Sequence, residues 1–456
     1  MLHYDAIVIG SGQAGNPLSQ KLADHGWAVA LIEKENLGGT CINTGCTPTK
    51  TMVASAQVAH YARNAGRWGV HVGEVSVDMP KVVARKDRVV GQARSGQMRK
   101  VEERKTLHLY RGHARFIGPH QVRVGEEVLQ SERIFIDTGT RPDVPPLNGL
   151  RGIDFLDNAS IMRLTEVPEH LLILGGGYIG MEFGQMFRRF GSEVTIVQDA
   201  PRLMMIEDDD VSDEVAAILR DDGITILTSS TAVRVELADG GRLRLTVRTP
   251  DGERQFTGSH LLSAIGRVPN TEALTLEAAG IRLNEHGFIE VDEYLQTSVP
   301  GVYAMGDVKG GPAFTHLSYD DYRILRANLI GHQKASTRGR IVPYTMFIDP
   351  QLGRAGLTER DAREQGRAIR VAKLPMSAVI RAIETGETRG FMKAVVDADS
   401  AQILGCAVLG SEGGEIMTMI QVAMLDKLTY SAMADAIFTH PLLAEGLNTL
   451  FAMFDA

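Results

Sequence analysis

Two cysteines separated by four residues, Cys41 and Cys46, are the side chains of this sequence best suited to redox chemistry. The chain has 456 residues and only three cysteines, so a framework of structural disulfides is excluded. A close cysteine pair in a chain otherwise poor in cysteine favours reversible thiol–disulfide exchange. The alternative is that both are small, buried apolar side chains. The third cysteine, Cys406, lies in an apolar, strand-like run and is predicted to be an inert core thiol.

A dinucleotide-binding fingerprint lies just upstream of the cysteine pair. It consists of an apolar run, three glycines and a carboxylate that ends the next apolar run: residues 6–9, Gly10, Gly12, Gly15 and Glu33. Gly10 permits a tight turn, Gly12 lets the backbone approach a pyrophosphate, and Gly15 lets the following helix pack closely on the strand. Glu33, 18 residues past Gly15, can accept hydrogen bonds from ribose hydroxyls.

The same pattern returns 165 residues later. An apolar run, 171–174, leads into Gly175, Gly177 and Gly180, and the next apolar run ends at Gln198. One glycine-rich turn is weak evidence, but two copies with matched strands and spacing are not expected by chance. Two dinucleotide sites in one chain imply two dinucleotides, most simply a tightly held flavin and an exchanging nicotinamide.

The end of the second pattern bears on which nicotinamide binds. Gln198 can hydrogen-bond a ribose hydroxyl without repelling a 2′-phosphate, whereas its neighbour Asp199 would repel one, and Arg202 could hold one. These signals conflict. The choice between NADH and NADPH therefore stays open, with a slight balance toward NADH.

Composition excludes several classes of function. The net charge of −8 gives no electrostatic case for nucleic-acid binding. No window approaches the roughly 18 apolar residues that a membrane helix needs. The N-terminus shows no basic and apolar signal segment, so we expect a cytoplasmic protein in which Cys41 and Cys46 can cycle. No histidine–cysteine cluster has the spacing of a structural zinc site, and no metal ligands are predicted.

Four further segments complete a resemblance that covers essentially the whole chain. They are 136–142 (IDTGTRP), 264–271 (AIGRVPNT), 301–307 (GVYAMGD), and 349–350 (DP) followed by 356–359 (GLTE). Together with the glycine patterns and the cysteine pair, they resemble the class I pyridine nucleotide–disulfide oxidoreductases. That family includes lipoamide dehydrogenase, glutathione reductase, mercuric reductase and a chlorine-resistance, copper-reducing branch.

The resemblance implies an α/β architecture with two Rossmann-like domains, for flavin and for nicotinamide, and a C-terminal α+β dimerisation domain. Residues 1–145 and 272–340 would form the FAD-binding domain, interrupted by an NAD(P)-binding domain at 146–271. Residues 341–456 would form the dimerisation domain of a homodimer. FAD would be bound tightly and NAD(P)H would exchange.

The resemblance also assigns roles to the residues that carry chemistry. Cys46 would face the flavin at the start of a helix, which stabilises a thiolate, and Cys41 would be the outer thiol that meets the substrate. Lys50 and Glu182 would lie near the flavin ring and the nicotinamide. Tyr178 would cover the flavin until the nicotinamide displaces it; the alternative is a packed core tyrosine.

Flavin and nicotinamide contacts follow in the same way. The aspartate of the second flavin motif, Asp307, would bind the ribityl chain. The other residues that the resemblance places at the two dinucleotides are Gly39, Thr40, Thr138, Gly139, Gly306 and Gly266, together with Lys50 and the glycines, Glu33 and Gln198 of the two fingerprints.

Near the C-terminus, His440-Pro441 and Glu445 resemble the family's base motif, contributed across the dimer to the partner's disulfide. A carboxylate on one imidazole nitrogen fixes the tautomer, so the other nitrogen can take a proton from a thiol. The alternative is a structural histidine. The chain would thus place its active site at the interface of two subunits.

Three features bear on the branch of the family. No cysteine follows Cys406, so mercury delivery by a C-terminal cysteine pair is excluded. Phe438 stands where lipoamide dehydrogenases carry a histidine, which weakens that reading. Segments 314–324 (FTHLSYDDYRI) and 437–441 (IFTHP) are similar to the copper-reducing branch.

These features predict electron transfer from NAD(P)H through FAD and the Cys41–Cys46 disulfide to a metal ion such as Cu(II) or Hg(II). The alternative acceptor is lipoamide or another small disulfide. Two hypotheses from other classes stay open. One is a catalytically idle flavoprotein that serves as a scaffold, and the other is an oxidase-like flavoenzyme whose acceptor is oxygen.

Overall fold

The computed structural model describes residues 1–455. Twenty-three strands and twelve α-helices make up the elements named below. The strands are β1 Leu2–His3, β2 Ala6–Ile9, β3 Val29–Glu33, β4 Leu107–Arg111, β5 Ala114–Gly118, β6 Gln121–Val124, β7 Glu127–Gln130, β8 Ile134–Ile136, β9 Thr140–Pro142, β10 His170–Leu174, β11 Glu193–Val197, β12 Thr225–Leu227, β13 Thr231–Leu237, β14 Leu243–Thr249, β15 Gly252–Gly258, β16 His260–Ser263, β17 Arg267–Pro269, β18 Val302–Ala304, β19 Tyr344–Met346, β20 Gln351–Gly356, β21 Ile369–Pro375, β22 Phe391–Asp397 and β23 Ile403–Gly410. The helices are α1 Gly15–Asp24, α2 Gly39–Asn43, α3 Cys46–Asn64, α4 Met79–Glu102, α5 Tyr178–Phe190, α6 Asp209–Asp221, α7 Thr315–Leu329, α8 Glu359–Glu364, α9 Ile380–Thr385, α10 Gly413–Leu425, α11 Tyr430–Ala434 and α12 Gly446–Ala452.

A parallel sheet in the order β18-β8-β2-β3-β4 carries the first glycine pattern. Its strands β2, β3 and β8 are buried along their whole length, which explains why they are continuous apolar runs rather than alternating ones. Strand β18 joins this sheet from a point some 300 residues further along the chain. The second glycine pattern is therefore inserted in the chain between strands of the first sheet.

The second parallel sheet, β12-β11-β10-β16, carries the second glycine pattern, and the antiparallel sheet β13-β14-β15 lies beside it in the chain. The chain leaves the first unit through β9 and returns through β17, and these two strands pair antiparallel, with Thr140 opposite Pro269. The exit and the return of the insertion are therefore neighbours in space.

The C-terminal part of the chain forms an antiparallel sheet in the order β19-β20-β23-β22-β21. Its core is formed with α10 and α12 and contains Cys406, which is fully buried in β23 as predicted. The mixture of parallel and antiparallel sheets with covering helices confirms the predicted α/β class with a C-terminal α+β part. The exact domain boundaries remain predictions.

Two groups of buried charges join the insertion to the C-terminal sheet. Arg354 of β20 pairs with Glu207 just before α6, and both side chains are almost fully buried. Lys393 of β22 lies 3.2 Å from Asp208 and 2.9 Å from Asp210. Separately, within residues 1–455, no helix is both long enough and apolar enough to cross a membrane.

Candidate active site

A cleft of about 1130 Å³ runs between the first parallel sheet, the insertion and the C-terminal sheet. Its size suits an extended dinucleotide, since ligand sites commonly range from about 300 to 1,000 Å³. Most residues predicted to act in catalysis or flavin binding line it. They are Gly10, Gly12, Glu33, Gly39, Thr40, Cys41, Cys46, Lys50, Thr138, Gly139, Tyr178, Glu182 and Asp307.

The first glycine loop and Glu33 form one end of the cleft. Gly10 has a φ of 98°, which a side chain would strain, and a Cβ atom there would collide with the backbone of Asp137. Glu33 accepts hydrogen bonds from the backbone N–H of Ser11, at 3.1 Å, and from its hydroxyl, at 2.6 Å. The carboxylate thus stabilises the loop from the end of β3, beside the place predicted for a ribose.

The fit to FAD can be judged from this loop and its neighbours. Gly39 approaches the loop so closely that a Cβ atom on it would lie 2.8 Å from the Cα atom of Gly12. Helix α1 begins at Gly15, so its N-terminal amides and the positive end of its dipole face the loop. Thr138 and Gly139 line the same cleft further along. The residues present are those that a dinucleotide needs.

The second glycine loop repeats this geometry in the insertion. The backbone N–H of Gly176 donates to Oε1 of Gln198 at 2.7 Å, as that of Ser11 does to Glu33. Gly177 has no neighbouring atom within 4 Å of a Cβ position, so a ligand can approach its backbone. Gly175 has a φ of 103° and Gly180 lies against its carbonyl.

Several predicted residues lie outside the lining of the large cleft. Gly15 and Gly306 stand behind it, where both lie next to the carboxyl group of Asp137. Gly175, Gly177, Gly180 and Gln198, the residues of the second fingerprint, do not line this cleft. Gly266 has a φ of 156° and precedes β17, so it shapes the return of the insertion rather than the cleft.

The two cysteines are free thiols in neighbouring helices. Cys46 is the first residue of α3, where the helix dipole stabilises a thiolate. The hydrogen bond from the Cys41 thiol lowers the pKa of Cys46 to about 6, with help from Thr315 and Lys50 and against the effect of burial. The same hydrogen bond and burial raise the pKa of Cys41. The first proton is therefore lost from Cys46.

Thr315, which was not singled out from the sequence, is the first residue of α7 and contacts the thiol of Cys46. Its Oγ1 atom lies 3.4 Å from the Sγ atom of Cys46. A hydroxyl at this distance can donate to a thiolate sulfur. The two residues are 269 positions apart in the chain, so no local signal connects them.

Lys50 and Glu182 form an ion pair on the cleft wall, with 2.6 Å between Nζ and Oε2. The side chain of Glu182 is only 4 % exposed, and its other oxygen accepts from the backbone N–H of Phe347 at 2.8 Å. Lys50 also lies 4.9 Å from the centre of the Phe347 ring. Three parts of the chain thus fix one lysine charge at the cleft.

Tyr178 is the first residue of α5 and lines the cleft. Burial raises the pKa of its phenol to about 12, so it is neutral at physiological pH. Its ring lies 6.0 Å from that of Phe314, which in turn stacks on Tyr344 at 5.3 Å. Tyr178 therefore lies at the cleft and also packs against the adjoining hydrophobic core, and its role as a cover of the flavin stays a prediction.

His440 and Glu445 form a pair, with 2.9 Å between Nδ1 and Oε2. The His440 side chain is 67 % exposed. In the part of the chain that the structure describes, neither residue belongs to the lining of the cleft. Within one subunit the pair is therefore oriented but stands apart from the cysteines.

Two glycine-loop units, with a thiol pair at the cleft beside one of them, define a dithiol oxidoreductase that uses two dinucleotides. A family model described as pyridine nucleotide-disulphide oxidoreductase matches residues 4–321, and the dimerisation-domain model of that family matches residues 342–451. The chain belongs to this family. It is thus an NAD(P)H-dependent oxidoreductase with FAD as cofactor, and its dimerisation domain supports a homodimer, as predicted.

The relatives include members of the predicted branch and a dihydrolipoyl dehydrogenase. The chain is 40% identical over 461 residues to the probable pyridine nucleotide-disulfide oxidoreductase RclA of Escherichia coli K12, covering 99% of this chain and 100% of that protein. It is 33% identical to the mercuric reductase of Lysinibacillus sphaericus, covering 99% of this chain and 83% of that enzyme. The dihydrolipoyl dehydrogenase of Thermus scotoductus is 34% identical, with 98% and 96% covered.

Solved structures give the same grouping. A structure described as the Cu(II) complex of the HOCl-induced flavoprotein disulfide reductase RclA from Escherichia coli superposes with a TM-score of 0.90. The two chains are 40% identical, and the match covers 99% of this chain and 100% of that one. The predicted similarity to RclA and to the mercuric reductases is thereby confirmed.

Proposed function

We propose that this enzyme passes electrons from NAD(P)H, through FAD and the Cys41–Cys46 pair, to a metal ion such as Cu(II) or Hg(II). The observation that carries the proposal is the unequal thiol pair at the cleft, with the more acidic Cys46 at the start of α3. Soft thiolates are ligands that copper and mercury ions prefer. A relative of 40% identity was crystallised with Cu(II), which supports a metal ion as acceptor.

Bound FAD supplies the two-electron relay between the nicotinamide and the dithiol. The chain's own residues prepare that relay. Lys50, fixed by Glu182, supplies a positive charge at the cleft wall, where it favours negative charge on a reduced cofactor. Tyr178 shields the cleft from water until the nicotinamide enters. Cys46, held as a thiolate by its helix and by Thr315, is the thiol on the cofactor side.

Cys41 is the thiol that meets the acceptor. Oxidation of both thiols to the disulfide releases two electrons and two protons, which reduce one Hg(II) to Hg(0) or two Cu(II) to Cu(I). The pKa of the Cys41 thiol is raised, so Cys41 needs a base before it can bind a metal ion as a thiolate. His440, oriented by Glu445, is the candidate base, and its exposure suggests that it acts on the cysteines of the partner subunit.

The second candidate function is reduction of a small disulfide such as lipoamide. The His440–Glu445 pair favours it, because a base that takes a thiol proton is what dithiol exchange requires. Both functions use the same cysteines and differ only in what Cys41 attacks or binds.

The deciding experiment is anaerobic oxidation of NADH and of NADPH with Cu(II), Hg(II), lipoamide and oxidised glutathione compared side by side. We expect fast turnover with a metal ion and loss of it in Cys41→Ser and Cys46→Ser. Cys406→Ala is the matched control, since that cysteine is buried in β23 and should leave turnover unchanged. Fast turnover with lipoamide or glutathione alone would assign the chain to the disulfide reductases instead.

The same assay separates the remaining hypotheses. An idle scaffold would show no bleaching of the flavin by NADH or NADPH. An oxidase would release hydrogen peroxide under air, and that release would survive the loss of both cysteines. The proposal requires bleaching by the nicotinamide and dependence of acceptor reduction on Cys41 and Cys46.

A further inference from the structure

One buried carboxyl group, that of Asp137, lies where the two flavin-binding segments meet. Asp137 follows β8 and lines the large cleft. A Cβ atom on Gly12 would lie 2.6 Å from its Oδ2 atom, and one on Gly15 would lie 3.0 Å from the same oxygen. A Cβ atom on Gly306, in the second flavin motif, would lie 2.7 Å from its Oδ1 atom. Three glycines thus make room for one acidic side chain.

The position of this carboxyl group is one that normally suits a phosphate. Its Oδ2 atom accepts a hydrogen bond of 2.7 Å from the backbone N–H of Gly15, at the first turn of α1. The amides at the start of this helix are those that the dinucleotide fold offers to a pyrophosphate. An ionised Asp137 would therefore place a negative charge next to the phosphates of FAD.

The surroundings of Asp137 favour its neutral form. Burial raises its pKa well above the ordinary value, and the negative charges of Asp307 and Asp321 add to this, while the amides of Gly15 and Ala14 oppose it. The basic groups nearby are engaged elsewhere: Lys309 and Arg340 lie 3.3 Å and 2.8 Å from oxygens of Asp321.

The remaining charges face other groups. The positive charge of Arg267 opposes the rise in the pKa of Asp307. Arg267 also donates a hydrogen bond to the hydroxyl of Thr140, which lies 3.4 Å from the carboxyl group of Asp307. Glu33, on β3, is turned to Ser11. On the side of α7, Lys309 pairs with Asp321, and Arg340 pairs with both Asp320 and Asp321, rather than with Asp137.

We propose that Asp137 binds FAD as a neutral carboxylic acid, so that retention of the cofactor is coupled to one proton. The protonated carboxyl faces the cleft as a hydrogen-bond donor, whereas the ionised carboxylate repels the pyrophosphate. The inference depends on the FAD site of the family and not on which acceptor the enzyme reduces.

The sign of the coupling follows from linkage. If only protonated Asp137 tolerates the phosphates, FAD affinity is constant below the pKa that Asp137 has in the FAD-free protein and falls above it. Above that pKa, the association constant for FAD falls by up to about tenfold per pH unit, until the carboxyl group of Asp137 also ionises in the FAD-bound protein. Binding then takes up one proton per FAD.

The test dilutes the holoenzyme at a series of pH values from about 5 to about 9 and measures released FAD by its fluorescence at equilibrium. We expect the wild type to release more FAD as the pH rises. Asp137→Asn, which keeps the shape without the charge, should retain FAD with little dependence on pH. Asp154→Asn removes an exposed carboxylate that does not line the cleft and serves as the matched control, with a wild-type profile.

Two results would overturn the proposal. One is an identical pH profile in the wild type and Asp137→Asn, and the other is weaker FAD binding in Asp137→Asn at every pH, which would show that the carboxylate itself is needed. If the variant does not fold, the wild type alone decides: in weakly buffered solution, FAD release must free about one proton per FAD. Release without a proton contradicts the proposal, whatever the acceptor assays show.

Discussion

At the scale of single residues, the site depends on making two identical thiols unequal. Cys46 begins α3 and has the Thr315 hydroxyl 3.4 Å away, while Cys41 lies in the short preceding helix and donates to its partner. The negative charge therefore settles on Cys46, the thiol proposed to face the flavin, and the proton stays on Cys41, the thiol proposed to meet the acceptor. The two thiols differ in acidity because Cys46 begins a helix and receives hydrogen bonds from Cys41 and from the Thr315 hydroxyl.

Replacing the hydroxyl tests this account. Thr315→Val keeps the shape but removes the donor, so we expect the pKa of Cys46 to rise from about 6 by about one unit. The thiolate would then form at higher pH, and the rate at which iodoacetamide alkylates Cys46 in the reduced enzyme would rise at correspondingly higher pH. Thr315→Ser keeps the donor and is the control. Equal profiles for Val and Thr would show that the hydroxyl does not stabilise the thiolate.

At the scale of elements, three helices begin at the cleft. Helices α3, α5 and α7 start with Cys46, Tyr178 and Thr315 in turn, and all three residues line the cleft. Each helix follows a different segment of the chain, so their positive ends converge only after the insertion has packed. A site that must hold thiolates and phosphates gains from several helix N-termini together.

The second glycine unit makes a prediction about coenzyme choice. The side chain of Gln198 is uncharged and accepts a hydrogen bond from the backbone N–H of Gly176. Arg202 pairs with Asp209 at 3.2 Å and with Asp213 at 3.0 Å. We expect the wild type to accept both coenzymes. Gln198→Glu should lower kcat/KM for NADPH more than tenfold and change that for NADH little, because a carboxylate repels a 2′-phosphate. Asp213→Asn, which removes one of the two carboxylates that hold Arg202, should shift the ratio the other way.

A different result would show that Gln198 does not determine the choice between NADH and NADPH. If Gln198→Glu lowers kcat/KM for both coenzymes equally, the side chain matters only for the loop that it stabilises through Gly176. Steady-state rates with each coenzyme at a fixed acceptor concentration distinguish these cases.

The elements also show what could be predicted from the sequence. Both glycine loops, the helix start at Cys46 and the Lys50–Glu182 partnership were accessible, because spacing within one segment or a whole-chain resemblance carries them. The contact of Thr315 with Cys46, the buried pair of Arg354 with Glu207 and the role of Asp137 were not. They join segments that meet only in the folded chain. Asp137 and Thr315 lie in segments that carry the resemblance, but nothing in those segments indicates which distant residues their side chains approach.

At the scale of the whole molecule, we expect a second copy to dock on the exposed surface of the C-terminal part of the chain. On one face of α10, Val422 and Leu425 are 60 % and 65 % exposed, three residues apart. His440 is exposed as well and is already oriented by Glu445. The dimerisation-domain model of the family covers these residues, so the apolar face and the candidate base both belong to the part of the chain that this model matches.

Mixing two inactive variants tests whether the partner completes the site. We expect His440→Ala and Cys41→Ser each to be inactive toward the acceptor as homodimers. When subunits are exchanged at equal amounts, heterodimers carry one intact site, so about a quarter of the wild-type activity should return. Cys41→Ser mixed with Cys46→Ser is the control, because no pairing of these subunits restores an intact dithiol. Recovery in neither mixture would place the base within the same subunit or exclude it.

The antiparallel pairing of β9 with β17 has a consequence for how such a chain can be rebuilt. Pro142 lies opposite Arg267, so the 124 residues from 143 to 266 enter and leave through adjacent backbone positions. A two-residue hairpin turn spans that gap. The intervening unit can therefore be exchanged for a homologous one without threading the chain differently, provided that the replacement keeps Glu182 and Glu207, whose partners Lys50 and Arg354 lie outside it.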